Sequence, residues 1–146
     1  GIAFGLAAAV QAAVATAAAY LLFGMDTAAN PAWVVVVAVV NAILGVSLGL
    51  LASAFAVTEF QAVQFMPIVV TPQLLTCGLF APRDQMSSWL QHLSDFFPLT
   101  YSVEALQDVG ANPSPSSTYW IDIAVVAAVV VGALVAGAAT LRRRTP

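Results

Sequence analysis

The stretch Ala32–Thr58, AWVVVVAVVNAILGVSLGLLASAFAVT, contains no charged side chain. A helix needs about 20 apolar residues to cross about 30 Å of hydrocarbon, so this run is long enough to span a bilayer. Its valines, Val34–Val37 and Val39–Val40, favour strands locally. Membrane-spanning strands are shorter, about 9–11 residues, and alternate polar with apolar positions. This run is longer and apolar on every face, so the reading is helix.

Gly1–Met25, Phe60–Phe80 and Ile123–Leu141 are also free of charge. A charge at the centre of a spanning helix costs roughly 2.5–3.5 kcal/mol on the insertion scale, so such gaps are informative. The composition agrees, with 61% hydrophobic and 8% charged residues. A soluble domain is closer to half apolar and a quarter charged, so this chain needs lipid as a second solvent. The expected fold is all-α: a polytopic membrane protein with four transmembrane helices. The first is rich in Ala and carries Gln11 and Thr16, so it should be shielded by neighbouring helices. Pro31 suits the first position of the second helix. Residue 1 is Gly rather than Met and the first span lacks a polar flank, so the sequence reads as a piece of a longer chain. It lacks the basic start of a signal peptide.

The cations are Arg83, Arg142, Arg143 and Arg144. Arg142, Arg143 and Arg144 follow the last span directly, and the positive-inside rule places them in the cytoplasm. Counting back, Ala111–Trp120 lies outside, Val57–Gln61 inside, Gly24–Pro31 outside and Gly1 inside. Arg83 is an exception on the outer side.

Between the third and fourth spans, Pro82-Arg83-Asp84-Gln85 opens a segment of mixed character. Met86, Trp89, Leu90, Leu93 and Phe97 recur at the spacing of one helical stripe. The spacing predicts a short amphipathic helix with Trp89 as an interfacial anchor or as a packing anchor against the outer ends of the spans. Pro98 interrupts it and begins a second short helix, which should run to Val109 and stop at Gly110.

Leu79-Phe80-Ala81-Pro82-Arg83-Asp84-Gln85-Met86, then Trp89-Leu90, Phe97-Pro98-Leu99-Thr100-Tyr101 and Glu104-Ala105-Leu106, in that order between two spans, resemble the signature region of type-2 ABC transporter permeases, most of all drug exporters of the daunorubicin-resistance type. Ser87 stands where many relatives have Pro. The resemblance implies a six-span domain whose last two spans are joined by an extracytoplasmic re-entrant helical hairpin. Residues 1–146 would be its C-terminal part, spans three to six, with the N-terminal spans missing. It further implies a multi-pass protein of the bacterial plasma membrane that exports a drug-like or lipid-like substrate. The partners implied are an ATP-binding cassette ATPase subunit and a second permease copy, with membrane lipid around them. Pro82, Met86, Trp89, Leu90, Leu93, Phe97, Pro98, Tyr101 and Glu104 would form the exit hairpin.

A phosphate-binding P-loop requires a Lys, and the chain has none. Its one His, His92, and one Cys, Cys77, form no metal or nucleophile–base set. The expectation is therefore no catalytic residue, no cofactor, no metal and no nucleic-acid partner, with ATP hydrolysis in a separate subunit. Gln64, Pro67, Thr71, Pro72 and Gln73 cluster in the third span. They either line a pathway or make ordinary interhelical hydrogen bonds, since each Pro frees a carbonyl that something must satisfy. Gly45, Gly49 and Ser53 form a small-residue ridge, for packing within the chain or against another copy. Glu59 either caps its helix or meets the ATPase. Glu104 needs a partner at membrane depth, and Arg83 or His92 is available. The rival readings are an ion-coupled secondary transporter and a membrane scaffold. Against the first, no acid falls within the charge-free spans.

Overall fold

The computed structural model describes residues 2–142, with side chains as far as Thr140. Helices α1 (Ile2–Phe23), α2 (Pro31–Phe55), α3 (Glu59–Thr76), α4 (Ser88–Ser94), α5 (Pro98–Ala111) and α6 (Ser117–Arg142) follow one another, with a 3-10 turn at Arg83–Gln85. No strand occurs among the described residues. Three of the helices, α1, α2 and α6, are long and apolar enough to cross a membrane. The expected third span is α3. Its 18 residues extend about 27 Å, close to the hydrocarbon thickness, but Glu59, Gln61, Gln64 and Gln73 make it more polar than the others.

Local chemistry sets the helix ends. Asn30 Oδ1 accepts from Ala32 N at 2.9 Å, and Pro31 opens α2. Thr58 Oγ1 accepts from Gln61 N at 3.2 Å, while Gln61 Oε1 accepts from Val57 N at 3.0 Å. The two side chains thus serve amides around the start of α3, and Glu59 in the first turn complements the helix dipole. Gly24 turns the chain at φ 61° after α1.

Helix α2 is central and packs against α1, α5 and α6. Ala29, Val34, Val37, Ala105, Val109 and Tyr119 form one buried cluster at one end. Leu44, Val126 and Val130 form a second, deeper along α2 and α6. Helix α1 packs along α2 on one side. Of its residues only Thr16 is buried, and Leu6, Val10 and Val14 are exposed. Its small Ala side chains give α2 a flat contact on one side, and its other face is not shielded by this chain.

The turn before α2 and the loop before α6 lie at the same end. Ala28 N and Ala29 N donate to the carbonyls of Gly110 and Val109, at 3.2 and 3.0 Å. From there α5 runs back beside α2. Ser102 Oγ donates to Asn41 Oδ1 at 3.2 Å. That contact lies about 12 Å down α5 from Gly110 and about 16 Å down α2 from Asn30. Helix α5 is therefore inserted beside α2 and α6 rather than laid over their ends, while α4 packs chiefly against α3 among the described helices.

Candidate functional site

The hairpin is organised around Arg83. Its guanidinium pairs with Glu104 of α5 and with Asp95 at the end of α4. Gln91 Nε2 donates to the Arg83 and Met86 carbonyls, at 2.8 and 3.0 Å. Thr100 Oγ1 donates to Ser94 O and Tyr101 Oη to Asp95 O, both at 2.8 Å, closing the bend between α4 and α5. Partial burial disfavours the Arg83 cation, but its bonds to Glu104 and Asp95 prevail and raise its pKa. Gly78, at φ 90°, makes this possible. A Cβ there would lie 3.1 Å from Arg83 Cγ, in a backbone conformation that other residues resist. Of the two candidate partners for Glu104, then, Arg83 is the one that pairs. His92 instead places Nδ1 2.6 Å from Ser88 O.

The apolar stripe is not one continuous helix. Met86 precedes α4 in extended conformation, and Phe97 follows it at the cap of α5, so the periodicity is broken at both ends. Met86, Leu90 and Phe97 are half-buried, but Trp89 is 67% exposed and Leu93 39%. Trp89 is thus not a packing anchor against the spans of this chain. Pro82 is exposed, Tyr101 and Glu104 are half-buried, and Pro98 is buried as the first residue of α5. That helix continues through Gly110 to Ala111, slightly beyond its expected stop.

In α3, Pro67 and Pro72 lie within the helix. Gln64, Pro67, Thr71 and Pro72 face away from the rest of the chain, whereas Gln73 is buried and donates from Nε2 to Val69 O at 3.0 Å. The ridge of Gly45, Gly49 and Ser53 does not pack within the chain. A Cβ at either glycine would meet nothing within 4 Å, and Ser53 is exposed. Space remains between α2 and α3: a cavity of about 170 Å³ at Asn41, Gly45 and Gln73, then a groove of about 400 Å³ between Phe55 and Phe65. Arg142 ends α6, while Arg143 and Arg144 lie outside the described residues.

Sequence reasoning missed several residues. The charge-free run Ile123–Leu141 stops short of Asp122, but α6 begins at Ser117 and places Asp122 inside a helix long and apolar enough to span. It is 3% exposed, and among the described residues its Oδ2 has no hydrogen-bond partner. An acid therefore lies within a helix of spanning length, against the expectation that the spans hold none. Asn41 gives no signal of its own within the Val-rich run. Trp33, Tyr119 and Trp120 form a triangle of edge-to-face rings with centroids 5.4–6.0 Å apart. Spacing could not reveal it, because Trp33 is remote in sequence from the other two.

A bundle of apolar helices with an inserted polar hairpin defines the class as a multi-pass helical membrane protein. The ABC-2 type transporter family matches residues 2–109, and the chain belongs to that family. The matched region is the membrane domain of such transporters, distinct from their ATPase. Nodulation protein J of Rhizobium leguminosarum bv. viciae is 28% identical over 67% of this chain and 38% of its own length. ABC transporter G family member 20 of Dictyostelium discoideum is 30% identical over 60% of this chain and 12% of its own length. The chain thus spans well under half the length of these curated relatives. No solved structure matches it.

Proposed function

We propose that the chain is the C-terminal part of the permease of an ABC exporter, moving a drug-like or lipid-like molecule outward across the bacterial plasma membrane, with antibiotic efflux as one such role. A separate ATP-binding cassette subunit supplies the energy, and two permease copies form the pathway. The observation that carries this reading is the polar hairpin α4–α5, clasped by Arg83 and with α5 inserted beside α2, in a chain of the ABC-2 family. A hairpin so placed is suited to closing the outer end of a pathway. The exposed Gln64 and Thr71 beside two helix-bending prolines support α3 as a pathway wall, because such groups are costly against hydrocarbon.

In this reading Arg142–Arg144 are cytoplasmic and the hairpin is outside. Single cysteines at Ser116 and Thr145, in a Cys77→Ala background, test the orientation with an impermeant thiol reagent on intact cells. Ser116 should label and Thr145 should not; the reverse pattern overturns it. Transport is tested in proteoliposomes containing the full-length permease with and without its ATPase subunit. Export should require that subunit and ATP. Buried Asp122 is the observation that favours an ion-coupled carrier, and export driven by a proton gradient without any ATPase would establish that alternative.

A further inference from the structure

We infer that the seam between α2 and α3 is a binding site for a neutral amphiphile, with a carbonyl or hydroxyl group held at Asn41 and the apolar body lying along Gly45, Leu48 and Val69. The inference deepens the permease reading by assigning a substrate class to a particular cavity.

The polar end rests on Asn41. It lies about 15 Å along α2 from Pro31, at membrane depth, where an unsatisfied amide is costly. Among the described residues its side chain makes one bond, accepting from Ser102 Oγ at 3.2 Å. Whichever way the amide is turned, a single bond leaves its other end open, and Asn41 lines the cavity. Gln73 lines the same space from α3. Its Nε2 is committed to Val69 O, so its oxygen remains to accept a hydrogen bond.

The class of ligand follows from what surrounds these groups. Leu44, Leu48, Val70 and Leu99 line the rest with Gly45, and among the described residues no charged one takes part. An ion would enter without a counter-charge, so the ligand is neutral. The cavity of about 170 Å³ is comparable to engineered apolar cavities of about 150 Å³ that take up benzene, so it accepts a ring-sized group. Leu48 also borders the adjoining groove, where Leu51, Ala52, Phe55, Phe65 and Val69 offer an almost wholly apolar surface. One end can donate a hydrogen bond and the remainder is greasy, which is the pattern of an amphiphile site. Gly45 borders this space, and a Cβ there would touch nothing within 4 Å, which leaves room for a ligand against the α2 backbone.

The test uses the full-length permease in nanodiscs and an alkyne-tagged benzophenone, which is neutral, has a carbonyl and labels C–H bonds on irradiation. Labelled peptides should map to 41–48 and 69–73. Gly45→Leu, which fills open space in a helix, should lower labelling of those peptides at least tenfold, and Asn41→Leu should lower it severalfold. Thermal stability and co-purification of the ATPase subunit should be unchanged in Gly45→Leu. The carboxylate analogue of the probe should not label. Labelling elsewhere, labelling insensitive to Gly45→Leu, or equal labelling by the carboxylate would overturn the site, the first being expected if another helix fills the seam. Labelling needs no ATP, so a protein that labels as described but does not export would retain the site and lose the permease reading.

Discussion

Arg83 and Glu104 are paired across 21 positions of sequence, and the same guanidinium holds Asp95. This couples the end of α3 to α5 through side chains, where α3 otherwise packs sparsely on the rest of the chain. Both partners are partly wetted, with 27% and 29% of their side-chain surface exposed. Arg83→Gln should therefore cost about 1.5 kcal/mol, the low end for hydrogen bonds to charged groups. The exchanged pair Arg83→Glu with Glu104→Arg should recover part of that loss, though it places a second acid beside Asp95. Denaturant unfolding in micelles reads both. A swapped pair no better than either single variant would mean that the contact is geometric rather than ionic.

Tyr119 is fully buried, and its Oη donates to Trp33 O at 3.1 Å, joining the starts of α6 and α2. Tyr119→Phe removes one hydrogen bond and leaves a buried carbonyl lone pair, for a loss of about 1 kcal/mol. Tyr119→Ala also opens a cavity among Trp33, Trp120 and Val37 and should cost about 3–5 kcal/mol. Thermal unfolding followed by near-UV circular dichroism reports the ring triangle directly.

The spans were legible because hydrocarbon demands a long apolar run, and Ala32–Thr58 satisfies that demand without tertiary information. Pro31 and Pro98 each stand at the first position of a helix, where their fixed φ and missing N–H do no harm. The α4 stripe misled, because periodicity says nothing about where a helix stops. The 3-10 turn at Arg83–Gln85 and the extended Met86 cut the pattern off before α4, and the extended Phe97 cuts it off after, so only Trp89, Leu90 and Leu93 share that helix. Asp122 misled for a related reason. A charged residue reads as the edge of a span, yet burial between α5 and α6 lets the helix begin more than a turn earlier, at Ser117. The pairing of Arg83 with Glu104 was one of two options in the sequence, and only the fold, which turns His92 to its own helix, decides between them.

Asp108 closes α5 onto the start of α6. Its carboxylate accepts from Ser116 N and from Asn112 Nδ2, both at 2.9 Å. The backbone bond from Ser116 is the main cause that holds this carboxyl below its ordinary value, against a smaller opposing effect of burial. A depressed carboxyl stabilises the fold above its unfolded value and loses that contribution as pH falls through the folded one. Protection of the Ser116 amide from hydrogen exchange, corrected for intrinsic rates, should thus be constant from neutral pH to the ordinary carboxylate value of 3.8 and fall only below it. In Asp108→Ala it should be low at every pH.

Trp89 separates two roles for the hairpin. At 67% exposure it is not held by the spans of this chain, and Phe96 beside it is 82% exposed. A buried Trp would lose about 3–5 kcal/mol on truncation, whereas an exposed one should lose about 0.5 kcal/mol or less. Trp89→Ala should therefore unfold in detergent almost as the parent does. In a bilayer the indole is suited to the headgroup boundary, where its ring is apolar and its N–H finds water. With Trp33 and Trp120 replaced by Phe, Trp89 emission should be quenched by lipids labelled near the headgroup and not by lipids labelled at the chain terminus. Pro98 is buried at the start of α5, so Pro98→Ala loosens the bend that Trp89 leaves untouched. If the hairpin controls the outer exit, both variants should lower efflux while the ATPase subunit still co-purifies, since the proposed topology puts docking at the other end of the spans. Full efflux by a well-expressed Trp89→Ala protein would reduce the role of that side chain to a membrane contact. Full efflux by Pro98→Ala as well would remove the hairpin from the transport cycle.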